Sequence, residues 1–339
     1  MRQGGWQRRR LLGQALAGWA GIGGLAGLGP AVAAPGAAAG RIGQQAAVRV
    51  IVDNDFAGDP DGLFALAHQW LSPTARTVLV TSSALDARLA ALAGEPAGRT
   101  AAKGRDQVLQ LARAGKLGLP CPVLAGAEGF GVGAAQVSPA ARAIVDEALR
   151  DDPLPLWLTC GGPLTNVAAA LRLAPQIAPR LTLVWIGGAL DGRGEPEYNL
   201  ATDVEAARQV LWQPGLAVRV VPREAYRQLT LSVAELEADL RPISALGDWL
   251  HGRYLQLPPF VQLGPTLTLG DSALVQAAVL DRQAPLRPLP AQALLPRPDG
   301  AATGMPRELL LCERIEARAV IADLLAKLRL QAAVSKEKT

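Results

Sequence analysis

Four aspartates, Asp53, Asp55, Asp59 and Asp61, fall within nine residues of the stretch VIVDNDFAGDPDGLFAL, Val50 to Leu66. Carboxylates at that density repel one another unless a proton or a cation compensates them. Only 19% of the chain is charged, so the concentration has a chemical cause to find. Helix capping accounts for part of it, because Asp59 or Asp61 would cap a helix beginning near Gly62. It does not account for Asp53 and Asp55 on the end of the preceding apolar run. A hard divalent cation does, since Ca²⁺ gathers roughly six to eight oxygen ligands from carboxylates, carbonyls and waters. An EF-hand is excluded: counted from Asp53, the position of the bidentate Glu is Phe64.

Three further stretches have the types to complete such a site. CGGPLTNVAAAL, Cys160 to Leu171, follows an apolar run and opens a helical pattern. EYNLATDVEAARQVL, Glu197 to Leu211, offers an acid, an aromatic and an amide ahead of another helix. Asp271 in LGDSALVQAAVL opens a third. Each alone reads as an ordinary helix start.

The elements that would position these residues alternate. Strands are expected at Val48–Val52, Thr77–Thr81, Pro122–Leu124, Leu156–Thr159, Leu181–Ile186 and Ala217–Val221. Helices are expected at Gly62–Leu71, Thr100–Ala114, Pro139–Leu149, Leu164–Leu173 and Val204–Trp212. Apolar runs separated by helical periods predict an α/β fold, a single domain over residues 46–332 with a mixed, mostly parallel central sheet flanked by helices. Ligands in such sheets sit at the carboxyl ends of the strands, where the small and polar residues collect. Leu229–Leu255 reads as helix in two pieces, Ser272–Leu280 as a helix, Pro288–Gly304 as irregular, and Glu313–Leu328 as a closing amphipathic helix before a polar tail at 333–339.

Taken in order, the acidic cluster, the GPLTN turn, the EYN segment followed by an acid and alanines, and the late Asp271 resemble the inosine-uridine-preferring nucleoside hydrolase family. PVLAGA, Pro122 to Ala127, matches a further family strand, and the resemblance runs from about Val48 to Leu328. It implies Ca²⁺-dependent hydrolysis of the N-glycosidic bond of ribonucleosides. Asp53, Asp55 and Asp59 align with the first three acids of the family pattern, and the fourth falls on Pro60, or on Asp61 with one residue inserted. The resemblance implies Asp55, Asp61 and Asp271 as carboxylate ligands, joined by a backbone carbonyl at Gly161 or Cys160. Asp55 is the implied general base, Asp59 and Asn199 hold ribose hydroxyls with Glu197 beside them, and His251 and Tyr254 are candidates for contact with the leaving base. The chain departs from the family at Gly270, where many members carry a histidine that helps protonate the base, and at AEGFG, Ala127 to Gly131, where another is usual. A non-catalytic nucleoside- or ribose-binding protein, or a hydrolase of another N-ribosyl substrate, are the competing expectations.

The N-terminus, with Arg8, Arg9 and Arg10 ahead of a Gly- and Ala-rich apolar stretch, predicts a twin-arginine-like signal over residues 1–39 and a periplasmic or secreted protein without a stable membrane anchor. Small-residue cleavage options follow at Ala31–Ala33 and Ala37–Ala39. A net charge of +4 with scattered basic residues excludes a nucleic-acid stripe. The expected partner is a small nucleoside or ribosyl molecule, and a homo-oligomer is compatible with the sequence. Cys121, Cys160 and Cys312 are too widely spaced for a zinc pattern and read as buried thiols.

Overall fold

The computed structural model describes residues 42–96, 98–131, 137–192, 195–258, 261–296 and 307–337. The expected signal at 1–39 lies outside them. The first strand, β1 (Val48–Asn54), is buried at all seven positions, as expected of a central strand covered on both faces. Its side chains alternate: Val48, Val50 and Val52 enter one hydrophobic layer and Ile51 enters the other.

Around β1 the chain builds α1 (Asp61–Trp70), β2 (Ala75–Ser82), α2 (Ala87–Leu92), α3 (Thr100–Ala114) and β3 (Val123–Ala125). It continues through α4 (Pro139–Leu149), β4 (Leu156–Cys160), α5 (Thr165–Leu173), β5 (Leu181–Ile186), α6 (Tyr198–Thr202), α7 (Val204–Leu211), β6 (Ala217–Val221) and α8 (Arg223–Tyr226). The last part comprises β7 (Thr230–Ser232), α9 (Val233–Glu235), α10 (Ala245–Tyr254), β8 (Thr266–Thr268), α11 (Ser272–Val275), β9 (Arg287–Pro290), β10 (Glu308–Leu311) and α12 (Ala317–Glu337).

Eight strands form one sheet in the order β3-β2-β1-β4-β5-β6-β10-β9. Every pairing is parallel except β10 with β9, so the sheet is mixed and mostly parallel, flanked by helices, as the alternation predicts. β7 and β8 make a separate antiparallel pair. After β1 the chain turns outward to β2, whereas after β4 it turns the other way to β5. The crevice between the carboxyl ends of β1 and β4 is therefore the topological switch point, where sheets of this kind bind ligands.

Differences from expectation lie in the last third. The stretch expected to be helical from Leu229 opens with β7, and α9 passes into a wider π turn at Leu236–Leu240 before α10. The helix expected over Ser272–Leu280 also widens into a π turn from Gln276. The stretch expected to be irregular from Pro288 includes most of β9, an edge strand that tolerates Pro288 and Pro290 because it pairs on one side only. The closing helix begins at Ala317, not Glu313, and runs on to Glu337. Among the described residues no helix is long and apolar enough to cross a membrane.

Candidate active site

The turn that follows β1 carries the acidic stretch into the switch-point crevice. Asp55, Asp59 and Asp61 line a cavity of about 280 Å³ with Glu197, Asn199, Gly161 and Asp271. Tyr198, Tyr226, Leu85, Leu89 and Ile186 complete much of its wall. Four stretches far apart in sequence thus meet at one place. Asp61 is the first residue of α1, and its Oδ2 accepts from the Asp271 backbone N–H at 3.0 Å. Both Asp59 and Asp61 reach the cavity, while Pro60 between them is buried at the helix N-cap.

Asp53 belongs to a different category. It is fully buried, and its carboxylate accepts from Ser83 Oγ (2.7 Å), Asn166 Nδ2 (2.9 Å) and Thr81 Oγ1, with the Cys160 thiol at 3.5 Å. It ties β1 to β2, β4 and α5, and Asn166 of the GPLTN turn is its partner rather than a cavity residue.

Asn54 lies under the site. Its Nδ2 donates to Asp271 Oδ2 at 2.8 Å, and its Oδ1 is buried without a partner. Gly161 is required there: a Cβ would meet Asn54 Nδ2 at 2.4 Å and Asp271 Oδ1 at 2.7 Å. The Gly161 carbonyl accepts from Asn199 Nδ2 at 3.2 Å, and the same Nδ2 reaches the Ile186 carbonyl at 3.0 Å. Glu197 caps α6, accepting from the backbone N–H groups of Gly188 (2.8 Å), Asn199 (3.2 Å) and Leu200 (2.9 Å).

Among the described residues no Lys, Arg or His lines this cavity, and the carboxyls respond accordingly. Burial, then the charge of Asp61, holds Asp55 well above the usual carboxylate range. Burial, then Asp271 and Asp59, does the same to Asp61. Burial, then Asp55, raises Asp271 against the Asn54 hydrogen bond. Asp59 stands at the open rim, exposed on one side and enclosed on the other, and burial lifts it to about 6. Like-charge crowding of this kind is relieved by protons or by a cation. The donors are all hard oxygens, which suits a divalent ion such as Ca²⁺ and not a soft metal. Among the described residues no three His, Cys, Asp or Glu side chains are already arranged to hold an ion. The fit to a cation is therefore one of donor chemistry and uncompensated charge rather than of a preset coordination shell.

Two expected residues do not reach the cavity. His251 on α10 is buried with Nε2 2.7 Å from Glu237 Oε1, so its ring is turned to the π turn after α9. Tyr254 is buried edge-on to Phe64, ring centroids 5.6 Å apart, with its hydroxyl unpartnered; the charges of Asp59, Asp61 and Asp271 add to the burial that raises it, but it does not line the cavity. Tyr226 and the apolar pair Leu85 and Leu89 also line the cavity, and no motif in the sequence marks them. Tyr226 sits in the four-residue helix α8, whose sequence REAY carries no motif.

A family model described as inosine-uridine preferring nucleoside hydrolase matches residues 50–278. A non-specific ribonucleoside hydrolase of Shigella sonnei is 33% identical over 120 residues, 34% of this chain and 38% of that protein. A pyrimidine-specific ribonucleoside hydrolase of Salmonella arizonae is 29% identical over 98 residues, 28% of this chain and 31% of that protein. The match thus spans about a third of the length of these curated relatives. Among solved structures, an inosine-guanosine nucleoside hydrolase superposes with a TM-score of 0.63 at 18% identity, covering 84% of this chain and 98% of that one. An inosine-uridine preferring nucleoside hydrolase from Bacillus anthracis gives 0.61 at 17%, covering 83% and 99%. The fold is shared across nearly the whole of both structures. With the family match covering more than half of its residues, and the four motifs meeting at one switch point, the chain belongs to the inosine-uridine preferring nucleoside hydrolase family.

Proposed function

We propose that the protein hydrolyses the N-glycosidic bond of ribonucleosides with a divalent cation, Ca²⁺ by the hardness of its donors, held by Asp55, Asp61, Asp271 and the Gly161 carbonyl. The observation that carries this reading is the meeting of uncompensated carboxylates with Asn199 and Glu197 in one crevice at the β1–β4 switch point. A bound divalent cation lowers the pKa of a water and orients it. Asp55 takes the proton of the attacking water as general base. Asp59 at the rim accepts from ribose hydroxyls. Asn199, whose Nδ2 is engaged with two carbonyls, offers its Oδ1 to the sugar. Glu197 fixes the start of α6 and adds negative charge near the ring. As the C1′–N bond stretches the ribosyl group gains positive charge, and a wall of carboxylates favours that state over the neutral substrate. The basic start and the Gly- and Ala-rich apolar run within residues 1–39 support export to the periplasm or beyond as part of the same reading.

Release of reducing sugar from a panel of common ribonucleosides, with Ca²⁺ and then with chelator, tests this. Ca²⁺-dependent release is expected. Calorimetric binding of nucleoside or ribose with no release from any substrate would replace the hydrolase with a binding protein on the same fold.

A further inference from the structure

The three asparagines of the chain, Asn54, Asn166 and Asn199, are all buried and all lie around the carboxyl end of β1. Asn166 is satisfied at both ends of its amide, donating through Nδ2 to Asp53 and accepting through Oδ1 from the Ala127 backbone N–H at 3.2 Å. Asn54 is not. Its Nδ2 donates to Asp271 Oδ2, but its Oδ1 has no partner among the described residues although the side chain is buried. A buried amide oxygen without a donor costs stability, so the fold keeps this side chain for what its other end does.

The strand sets where that end points. Alternation along β1 places Asn54 on the face of Val48, Val50 and Val52, the layer that also holds Leu63 of α1 and Leu274 of α11. Asp61 opens α1 and Asp271 directly precedes α11, so the amide lies where these two acids begin their helices. Its backbone carbonyl accepts from the Ser83 N–H at 2.8 Å. Two glycines crowd the side chain: a Cβ on Gly62 would stand 2.7 Å from Oδ1, and one on Gly161 2.4 Å from Nδ2. Backbone that close leaves the amide little room to turn.

Among the described residues Asn54 is the only side chain that donates to Asp55, Asp61 or Asp271. A carboxylate that ligates a metal is ionised and accepts only. The amide must then present Nδ2 to it, since the reverse orientation sets oxygen against oxygen. A neutral amide orients Asp271 and leaves its charge in place. An Arg would pair with it, as Arg49 pairs with Glu147 at the other end of the strand, and cancel the charge a cation needs. With Oδ2 engaged, Asp271 Oδ1 stands beside Gly161, 2.7 Å from where a Cβ of that residue would be. The Asp271 backbone N–H in turn donates to Asp61 Oδ2 at 3.0 Å, so holding Asp271 also holds Asp61.

We propose that Asn54 is a positioning residue of the cation site, fixing the Asp271 carboxylate without discharging it and leaving Oδ1 for the ion. This rests on the cation reading proposed above.

The test is calorimetric titration with Ca²⁺ of the metal-free full chain, unaltered and as Asn54→Ala and Asn54→Leu, each below its own unfolding midpoint. Leu is close to Asn in size but has no donor. Both variants are expected to bind Ca²⁺ about 10- to 100-fold more weakly, the usual loss when the partner of a metal ligand is removed. A residue that merely holds the fold would lower the midpoint and leave the affinity of the folded protein unchanged. Affinities within about twofold of the unaltered protein would therefore overturn the proposal and leave the cation reading standing. Should neither variant fold, a crystal structure of the unaltered protein grown with Ca²⁺ decides. Asn54 Nδ2 on Asp271 Oδ2, with the ion on Asp271, is expected there; an amide turned from Asp271, or Asn54 Oδ1 itself on the ion, would overturn the proposal. No Ca²⁺ binding by the unaltered protein would remove both.

Discussion

The two ends of β1 carry charge under opposite conditions. At the amino end Arg49 is buried, 4% exposed, yet each nitrogen of its guanidinium is answered. It meets Glu147 Oε1 at 2.6 Å and the carbonyls of Glu147, Leu154 and Arg150. Arg150 bridges onward to Glu147 and Asp152, and Arg76 joins Asp152. At the carboxyl end Asp55, Asp61 and Asp271 crowd together with no cationic side chain among the described residues of the cavity wall. Asp53, one pleat below, shows that the same strand can satisfy a carboxylate when it is meant to, with donors from Thr81, Ser83 and Asn166. A charge with its partners built in holds the fold. Charges left unanswered mark the place where something from outside completes them.

The sharpest way to break that contrast is at the unanswered end. Replacing Asp55 by Asn should lower kcat/KM by about 1,000-fold, the scale of a lost general base, while thermal unfolding of the metal-free protein shifts upward because a repelling charge is gone. Retained activity would strip Asp55 of its role. At the answered end, Arg49→Ala should destabilise the fold by about 3 kcal/mol, the low end for breaking a buried pair, since Glu147 keeps Arg150. Its kcat/KM at a temperature where the variant is folded should stay within about twofold. A large catalytic loss without destabilisation would dissolve the distinction between the two ends.

How much of this was legible in the sequence follows from how local each signal is. β1, β4 and β5 are contiguous buried runs, and their faces alternate, so the parallel sheet could be read directly. The strands β7 to β10 are three or four residues long, and β9 carries two prolines; nothing in so short a window separates them from loop. The acidic tip, GGPLTN, EYN and Asp271 were legible as parts, and the switch-point topology brings all four together. The distinction of Asp53 from its neighbours was not, because the donors that satisfy it lie between 28 and 113 residues away. Nor was the turning of His251 to Glu237, which depends on how α10 packs against the π turn before it.

A cation should repair the unanswered end. Ca²⁺ at about 100 times its dissociation constant should stabilise the native protein by about 2.7 kcal/mol, read as a rise in the unfolding midpoint that chelator reverses. The same crowding sets the sign of the pH dependence. The Asp59 carboxyl rises from its ordinary 3.8 to about 6 in the folded chain, and Asp55, Asp61 and Asp271 move the same way. The folded state therefore binds more protons than the unfolded one, and the stability of the metal-free protein falls as pH rises from about 4 through about 6. Unfolding midpoints at either end of that window, with and without Ca²⁺, check the sign; a metal-free protein that grows more stable across it would contradict the crowding.

On this account the carboxyl end of β1 holds an excess of negative charge that a divalent cation completes. Calorimetric titration of the metal-free protein with Ca²⁺ near pH 7, beside the Asp61→Asn variant, puts this to the test. The expected result is saturable binding of about one ion per chain that the variant loses or weakens by about tenfold or more. Absence of binding, or binding of equal strength in Asp61→Asn, would contradict it.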